Sequence, residues 1–369
     1  MLGTASPAGD RAALVAPSRL LLYSGMMPGW LAGQYRFDEC AIDLQRICEA
    51  AGVEWIEDQI TDIDFGAREA IGERARYPFD LVSVNVGSAN ELGEGLGGDR
   101  APTVLGAKPF ARFVHDWESW LAGCADRPGA RSLVVVGGGA AAIEIAFALA
   151  RLAKVDVALR GSAVTLATIG ARLLPGHSDG AAALALASLR RAGVQVRFAH
   201  RYRGVSAAAA HFDAQPALAA DMLIVATGAR APAWLVEAAR RDGVAQAADG
   251  GIAVRSDLRS TSHPAVFACG DCASVVDQAI PKSGVHALRQ GPVLARNLLA
   301  LSQGGDAVAM AARGAALELH RYRAARRTLA LLNRCDGSAI GDWGPFGFAG
   351  AWVWRWKDRI DRRFMARFR

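Results

Sequence analysis

The sequence predicts an α/β protein made of two domains with similar plans, and three observations predict this fold class. Residues 132–151, SLVVVGGGAAAIEIAFALAR, start as a β-branched run, break at three glycines and continue with apolar residues at helical spacing. Segments with strand and helix patterns alternate on both sides of this stretch. The layout of residues 77–88, YPFDLVSVNVGS, returns in residues 221–232, DMLIVATGARAP, as an aspartate, an apolar run and a glycine.

The predicted elements follow one another along the chain. The first part predicts strand 12–16, helix 36–52, a strand pair in 53–64, strand 77–88 and helix 108–121. The sequence ADRPGAR then breaks both patterns and marks a domain boundary. The second part predicts strand 132–136 with its helix, strand 163–167, helix 179–192, strand 194–199 and a strand in 221–232. The last part predicts helix 283–301 and a strand near 329–332.

The tail of the chain predicts a basic amphipathic helix. Apolar residues recur there at intervals of three or four, while Arg and Lys occupy many of the other positions. The apolar line consists of Val353, Trp356, Ile360, Phe364 and Phe368.

Composition and charge narrow the class of protein. Of the 369 residues 52% are hydrophobic, but no run reaches the roughly 18 apolar residues of a membrane span. The start of the chain lacks a secretory pattern, and six scattered cysteines form no disulfide framework, so we expect a cytoplasmic protein. The net charge of +6 belongs mostly to residues 355–369, which hold seven Arg or Lys against two Asp. Because the rest of the chain carries no basic stripe, we expect no nucleic-acid partner.

The glycine turn after strand 132–136 has the residue types of a dinucleotide site. Gly137 permits a tight turn, Gly139 lets a pyrophosphate approach the backbone, and Ala142 lets helix and strand pack closely. Gly138 lies between Gly137 and Gly139 and belongs to the same predicted site. The helix N-terminus would hold the phosphate charge. A plain strand-to-helix turn is the alternative interpretation.

Six motifs, taken in order, carry a resemblance to a known family. They are PSRLLLYSGMMPG, YPFDLVSVNVGS, VVVGGGAAAIEIA, DMLIVATGARAP, VFACGDCA and PKSGVHALRQGPVLARNL. Their order resembles that of the pyridine nucleotide-disulfide oxidoreductase superfamily and is most similar to its type II NADH dehydrogenase branch. YSGMMPG, PKSGVHALRQGP and WRWKDRIDRRFM also resemble the oxidoreductase module that is fused to the N-terminus of selenide, water dikinase.

The resemblance implies two Rossmann-like, three-layer nucleotide-binding domains, the second inserted in the first. It implies an FAD domain formed by residues 1–126 and 248–330, an NAD(P)H domain formed by 127–247, and a C-terminal strand and tail over 331–369. Hydride would pass from the nicotinamide to the flavin and then to a small-molecule electron acceptor, for which a quinone is one candidate. Residues 352–369 would then contact an anionic membrane surface as a peripheral anchor. Packing of this tail on the first domain or on a partner is the alternative.

The resemblance also implies which residues bind the flavin. Asp271 matches the acidic residue that accepts the ribityl hydroxyls, and Gly270 lets the backbone approach. Ser283, Gly284 and Val285 match a helix start whose N–H groups face the pyrimidine edge of the flavin. Pro17, Ser18 and Arg19 match the strand end beside the FAD adenosine, and residues 23–29 match the loop over the isoalloxazine. The expected flavin-binding residues are Pro17, Ser18, Arg19, Gly87, Gly270, Asp271, Ser283, Gly284 and Val285. Lys282 is a candidate catalytic residue through its charge, and a solvated surface lysine is the alternative.

On the nicotinamide side, the resemblance points to residues from two motifs. Glu144 matches a family glutamate near the nicotinamide and is the second candidate catalytic residue; a helix first-turn carboxylate is the alternative. Thr227 and Gly228 match the loop that skirts the bound nucleotide. The acidic residue that would select NAD is missing after strand 163–167, and Arg172 would meet a 2′-phosphate only if its loop folds back. We therefore expect NAD(P)H.

Cys269 and Cys272 form a CxxC, which permits a redox disulfide. They flank Asp271, whereas the redox cysteines of the superfamily lie elsewhere, and we expect two packed thiols instead. Zinc is disfavoured because no second pair of cysteines has a suitable spacing, so we expect no metal site.

The sequence departs from the family at its start. Family members begin with a strand, a GxGxxG turn and a helix that hold the FAD pyrophosphate, and MLGTASPAGDR cannot supply them because they need roughly 30 residues. We expect the true start to lie upstream; loss of the main FAD phosphate contact is the alternative. We expect the chain as given to bind FAD weakly or not at all and to lack the central strand of its first-domain sheet. The alternative function is a truncated, non-catalytic nucleotide-binding protein linked to selenium metabolism, with a selenophosphate synthetase as partner.

Overall fold

The computed structural model describes residues 11–95, 101–126, 129–228, 230–302, 319–325 and 327–369. Helices alternate with strands, many of them in parallel pairs, which confirms the predicted α/β class. The chain forms two compact units. The first comprises residues 1–21, 42–89 and 229–326, and the second comprises 22–41, 90–228 and 327–369. The domain boundaries expected from the resemblance stay predictions.

The secondary structure elements are numbered along the chain. The strands are β1 (Ala13–Ala16), β2 (Leu20–Leu22), β3 (Ala41–Asp43), β4 (Glu54–Glu57), β5 (Ile60–Asp64), β6 (Glu69–Gly72), β7 (Arg76–Pro78), β8 (Val82–Val84), β9 (Glu94–Gly95), β10 (Thr103–Gly106), β11 (Ser132–Val136), β12 (Ala163–Ala167), β13 (Gln195–Arg197), β14 (Tyr202–Ser206), β15 (Ala209–Phe212), β16 (Gln215–Ala219), β17 (Met222–Val225), β18 (Ile252–Val254), β19 (Val266–Ala268), β20 (Ala273–Val275), β21 (Ala330–Asn333), β22 (Ala339–Trp343) and β23 (Phe346–Gly350). The helices are α1 (Met27–Leu31), α2 (Phe37–Cys40), α3 (Leu44–Ala51), α4 (Phe110–Ala125), α5 (Ala140–Val155), α6 (Asp179–Ala192), α7 (Ala233–Arg241), α8 (Gly284–Ser302) and α9 (Ala351–Met365).

A five-stranded parallel sheet forms the centre of the second unit. Its strand order is β10-β17-β11-β12-β13. The apolar run Leu133 to Val136 in β11 is at most 2% exposed, as expected for a parallel strand that is covered on both faces. Helix α5 is also buried along most of its length, because its residues are apolar on several faces.

The second unit also contains an antiparallel C-terminal sheet of β21, β22 and β23 that packs on α6. A Cβ atom on Gly347 would lie 2.2 Å from the backbone nitrogen of Ala181, so only glycine fits this contact. Asp342 accepts hydrogen bonds from the Ser178 hydroxyl at 2.5 Å and the His177 ring at 2.7 Å. Ser178 is the N-cap of α6, so the sheet holds the start of this helix.

The first unit contains short, separate ladders. Parallel pairs form between β1 and β4, β8 and β19, and β18 and β20, while β5, β6 and β7 form an antiparallel sheet. Within the described residues of this unit, no ladder joins the parallel pairs into one sheet.

Three predicted elements differ from the structure. The predicted strand 77–88 is divided into β7 and β8, which form ladders with β6 and β19 respectively. The predicted helix 36–52 is split into α2, β3 and α3, because the Asp43 carboxylate accepts the N–H of Arg46 and starts a new helix. The predicted strand pair in 53–64 is wrong as a pair. Its strands β4 and β5 form ladders with β1 and β6 instead of with each other.

The tail helix is confirmed as α9, but the predicted apolar line is wrong in part. The buried positions are Val353, Lys357, Asp361 and Met365, spaced four apart. Trp356 and Ile360 are 40% and 42% exposed. The reason is an internal ion pair, since Lys357 Nζ lies 2.7 Å from the Asp361 carboxylate and both side chains are at most 8% exposed. A buried charge pair therefore takes the place of two apolar residues on the inner face.

Candidate functional site

The glycine turn between β11 and α5 combines tight packing with open space. Gly137 has φ +145°, and a Cβ there would lie 2.4 Å from the carbonyl oxygen of Ala226. A Cβ on Gly138 would lie 2.4 Å from the Thr168 hydroxyl oxygen. By contrast, a Cβ placed on Gly139 would have no atom within 4 Å from the rest of the described residues, apart from its neighbours in the chain. Ala142 is fully buried, so the turn is closed on its inner side and open where a ligand would approach.

The strand order places this turn at a switch point of the sheet. The chain leaves β11 and returns on opposite sides of it, with β12 on one side and β17 on the other. Ligands of open α/β sheets bind at the carboxyl ends of strands at such a point. Thr227 and Gly228 follow β17 at this end, so the structure brings them to the same edge as the glycine turn.

Asn90, which the sequence analysis did not select, fixes this edge. Its side-chain amide donates to the carbonyl of Thr227 at 2.8 Å, and its side-chain oxygen accepts the N–H of Lys108 at 2.8 Å. The only signal for it was a polar residue two positions after the glycine-serine end of YPFDLVSVNVGS.

The loop after β12 folds back onto the glycine turn. The N–H of Leu174 donates to the carbonyl of Gly138 at 2.8 Å. The Arg172 guanidinium, however, pairs with Asp179 at 2.5 Å and donates to the carbonyl of His177 at 2.8 Å. Its contacts are therefore within the loop and the start of α6, and the coenzyme prediction stays NAD(P)H.

Glu144 lies on α5 and is linked to the C-terminal sheet. Its carboxylate accepts the N–H of Asn333, in β21, at 2.7 Å. Burial raises the pKa of Glu144 to about 7, while the Lys357 ammonium and the Asn333 hydrogen bond oppose this rise. Glu144 lies beyond the first turn of α5, which holds no acidic residue, so the first-turn alternative is wrong. With a pKa near 7, its carboxyl group can hold or release a proton near neutral pH.

Helix α9 holds the segment that contains the predicted flavin-facing loop, residues 23–29. Lys357 Nζ donates to the carbonyl of Gly25 at 2.6 Å, and the Tyr23 hydroxyl donates to Asp361 at 3.1 Å. The Tyr35 hydroxyl donates to Asp358 at 2.7 Å. Because these bonds come from one face of one helix, α9 sets the position of this loop within the second unit.

In the first unit, Asp271 lies directly after β19. Gly270 has φ +73° and its N–H donates to the buried Gln290 side chain at 2.7 Å. The Ser88 hydroxyl donates to the Asp271 carboxylate at 3.1 Å. Ser88 is a second residue that the sequence analysis did not select, although it follows Gly87, which has φ +69° and open space where a Cβ would lie. The paired strands β8 and β19 thus bring two predicted residues, Gly87 and Asp271, together.

Lys282 lies beside the same turn. Its amino group donates to the carbonyl of Asp271 at 2.8 Å and lies 3.1 Å from the carboxylate of Asp249, and its side chain is 15% exposed. The solvated alternative for Lys282 is therefore wrong. Next along the chain, Ser283 precedes α8, and Gly284 and Val285 form its first turn and are exposed. The first N–H groups of a helix have no partner within the helix, so they are available to an anionic ligand.

The residues predicted near the adenosine end of FAD follow β1. The Ser18 hydroxyl accepts the N–H of Leu20 at 3.2 Å, while Arg19 pairs with Asp43 at 2.6 Å. Pro17 lies in the same turn. Arg19 therefore connects the end of β1 to the N-terminus of α3.

The CxxC thiols are free and buried. Cys269 donates to the Asn85 side chain at 2.8 Å, and Cys272 donates to the carbonyls of Val84 and Cys269 at 3.3 Å. Burial raises the pKa of Cys269 to about 12 and that of Cys272 to about 11. Both thiols are protonated at neutral pH, and this protonation disfavours redox exchange. Across the part of the chain that the structure describes, no group of three or more His, Cys, Asp or Glu is placed to hold a metal ion.

The residues around the glycine turn and the residues around Asp271 fit their expected cofactors to different extents. The open space at Gly139, with tight packing behind it, fits the pyrophosphate of a dinucleotide. Asp271 and the start of α8 fit the ribityl chain and the pyrimidine edge of a flavin. Among the described residues of the first unit, however, no strand leads through a glycine turn into a helix that would hold the FAD pyrophosphate.

Comparison with known families gives a direct match. The model of the pyridine nucleotide-disulphide oxidoreductase family matches residues 3–291. The nitric oxide reductase FlRd-NAD(+) reductase of Salmonella gallinarum is 32% identical over 253 residues, and that of Citrobacter koseri is 28% identical over 256. Each alignment covers 67% of this chain and 59% of the relative, so the chain spans well under two thirds of the length of these proteins.

Solved structures share the fold. The sulfide:quinone oxidoreductase of Aquifex aeolicus has a TM-score of 0.72 at 13% identity and covers 97% of this chain and 85% of its own. NDH2 of Plasmodium falciparum, in complex with NADH, has a TM-score of 0.71 at 13% identity, with coverage of 96% and 92%. At these identities the likeness concerns the fold alone. Of the helices that the structure describes, none is both long and apolar enough to span a bilayer.

Proposed function

Because the chain belongs to the pyridine nucleotide-disulphide oxidoreductase family, we propose that it takes a hydride from NAD(P)H, passes it to FAD and delivers the electrons to a small-molecule acceptor. The observation that carries this proposal is the glycine turn at 137–139. Two of its glycines are packed against neighbouring atoms, and the third faces open space at the start of α5. That combination suits a backbone that must meet a pyrophosphate.

The side chains of this protein would bind, orient and exchange protons. Bound FAD would supply the capacity to accept the hydride of NAD(P)H and to pass on the electrons, which no side chain has. Gly139 and the first turn of α5 would hold the dinucleotide phosphates. Asp271 would accept the ribityl hydroxyls, and the bond from Ser88 orients its carboxylate. Glu144 would take up or release a proton as the charge at the nicotinamide changes, since its pKa lies close to neutral pH.

Gly139→Glu tests the proposal directly. The new carboxylate would occupy the open space and repel the pyrophosphate, so kcat/KM for NADH with ferricyanide as acceptor should fall about a hundredfold, equivalent to roughly 3 kcal/mol. Gly123→Glu is the matched control, because Gly123 is an exposed position on α4 where a Cβ also meets open space. Equal activity of the two variants would contradict the proposal. A wild-type chain that binds NADH but never oxidises it, even with added FAD, would favour the non-catalytic alternative.

For the acceptor, we propose a quinone reached at a membrane surface through α9. Three large apolar side chains, Trp352, Trp356 and Ile360, are 55%, 40% and 42% exposed. The Trp352 ring stacks on that of Trp356 with centroids 6.4 Å apart. Exposed tryptophans on a basic helix are typical of helices that lie in the headgroup region of an anionic bilayer.

Co-sedimentation with anionic liposomes tests the membrane contact. Trp352→Ser/Trp356→Ser/Ile360→Ser should lower the bound fraction severalfold, because the apolar area available for insertion is lost. Deletion of α9 is unsuitable, since Val353 and Met365 are buried. Val155→Ser/Val157→Ser is the control, as both valines are exposed elsewhere in the second unit. Unchanged sedimentation of the triple variant would remove the membrane role. A selenophosphate synthetase partner stays a prediction that co-purification would test.

A further inference from the structure

A second concave site lies in the second unit, at the far end of α5 from the glycine turn. The cavity has a volume of about 210 Å³ and lies between the C-terminal half of α5, the last turns of α6 and the turn that joins β21 to β22. Arg151 is 12 residues beyond Gly139 on the same helix, which corresponds to about 18 Å along its axis. The proposed hydride transfer uses none of the residues that line this cavity.

The lining carries an excess of positive charge. Arg151 and Lys154 come from α5, Arg191 from α6 and Arg334 from the turn after β21. One carboxylate, that of Asp336, lines the same cavity and pairs with Arg334 at 3.2 Å. Four cationic side chains from three parts of the chain therefore line the cavity together with one acidic side chain.

Two of the guanidinium groups are held in place by the protein. The Nε of Arg151 donates to the carbonyl of Ala32 at 3.0 Å. The side chain of Arg334 is 15% exposed, and its Nε is enclosed with no hydrogen-bond acceptor among the residues that the structure describes. An enclosed donor without an acceptor is destabilising, and an oxygen of a bound ligand would offset that cost.

Stabilisation of helix ends explains only part of this arrangement. Lys154 and Arg191 lie in the last turns of α5 and α6, where cations interact favourably with the helix dipole. Arg334 belongs to no helix. The buried residue Ser188, 4% exposed, adds a hydroxyl group to the same wall. A ligand with several negative oxygens accounts for all of these groups together.

We propose that this cavity binds the phosphoryl group of a small phosphorylated molecule. Planar guanidinium groups match phosphate oxygens in paired hydrogen bonds, and several cations together favour a dianion over a monoanionic carboxylate. The volume is below the roughly 300–1,000 Å³ of sites that enclose drug-sized ligands. The cavity therefore encloses the phosphoryl end of the ligand and leaves the remainder in solvent.

Calorimetric titration with inorganic phosphate and with glycerol phosphate tests the site in protein saturated with FAD and NADH. Arg191→Gln should weaken binding about tenfold. Arg190→Gln is the matched control, because Arg190 is the exposed neighbour on α6 and does not line the cavity. Arg151→Gln should weaken binding at least as much, with circular dichroism to confirm folding. The ratio of the dissociation constants of phosphate and glycerol phosphate shows whether the site prefers free phosphate or an ester.

Three results would overturn the proposal. The first is the absence of saturable binding at millimolar phosphate, and the second is an equal loss in Arg190→Gln and Arg191→Gln. The third is binding of phosphate to protein without NADH but not to protein saturated with NADH, which would assign the anion to the glycine turn. Because the measurement is of binding, it is independent of whether the chain oxidises NADH.

Discussion

At the scale of single residues, the most informative group is the Glu144 carboxyl. Its pKa of about 7 in the folded protein lies above its ordinary value of 4.5, mainly because of burial. The folded state therefore binds more protons than the unfolded state between these two values, and this group lowers stability as the pH rises through that window.

The test is the pH dependence of stability in Glu144→Gln. The variant should gain about 3 kcal/mol in the free energy of unfolding at pH 8, where wild-type Glu144 is charged, and should be close to the wild type at pH 4, below both pKa values. Urea unfolding at both pH values measures the difference. Glu118→Gln, an exposed carboxylate on α4, should follow the wild-type profile. A Glu144→Gln profile parallel to the wild type would show that the carboxyl group does not titrate in this window.

Part of the candidate site could be predicted from the residue types in short motifs. Residues that act through contacts with distant segments of the chain could not be predicted. Gly137 and Gly270 were predictable because their positive φ angles favour glycine, whereas Gly139 was predictable only from its place in the glycine motif. Asn90 and Ser88 were not, since each acts through a partner more than 130 positions away in the chain.

At the scale of elements, α9 combines a buried charge pair with an exposed aromatic face. Burial raises the pKa of Asp361, and Lys357 opposes this effect at 2.7 Å. Periodicity predicted the helix itself, as it predicted α5 and α6. It assigned Trp356 and Ile360 to the wrong face because a Lys–Asp pair at i, i+4 looks like a solvated surface pattern in the sequence.

Removal of one partner of this pair should be costly. Lys357→Met leaves the Asp361 charge buried and should destabilise the protein by about 3–5 kcal/mol. Lys357→Met/Asp361→Leu should recover most of that loss, because no uncompensated charge remains. Chemical denaturation of the wild type, the single variant and the double variant measures both effects. If the double variant were as unstable as the single one, the loss would come from the Gly25 and Tyr23 hydrogen bonds instead.

At the scale of the molecule, the sequence predicted the fold class, the oxidoreductase class and the cofactors FAD and NAD(P)H, and the family match confirms them. Four of the five strands in the sheet of the second unit were predicted, and β11, β12 and β17 were recognisable because they are mostly apolar runs next to helices. The edge strand β10 was not predicted. The separate ladders of the first unit were harder to predict, since short strands such as β4 and β5 carry little information about their partners.

The difference between the five-stranded sheet of the second unit and the short ladders of the first predicts unequal local stability. Amide hydrogen exchange in the apo protein should be at least tenfold slower in β11, β12 and β17 than in β1 and β4. In the central strand β11 the first residue, Ser132, is half-buried and the other four are buried, whereas all four residues of β1 are exposed or half-buried. Mass spectrometry of peptic fragments measures the rates. Equal protection in the two sets would contradict the expectation.

The bonds from α9 to residues 23 and 25 have a practical consequence for engineering. Arg369 is exposed, so a purification tag or reporter joined there through a flexible linker should leave the helix intact. A nick by a protease inside α9, by contrast, should loosen the segment that begins at Leu22, more than 300 positions earlier in the chain. Limited digestion that cuts α9 would thus free the distant residues 23 and 25 from the helix that holds them.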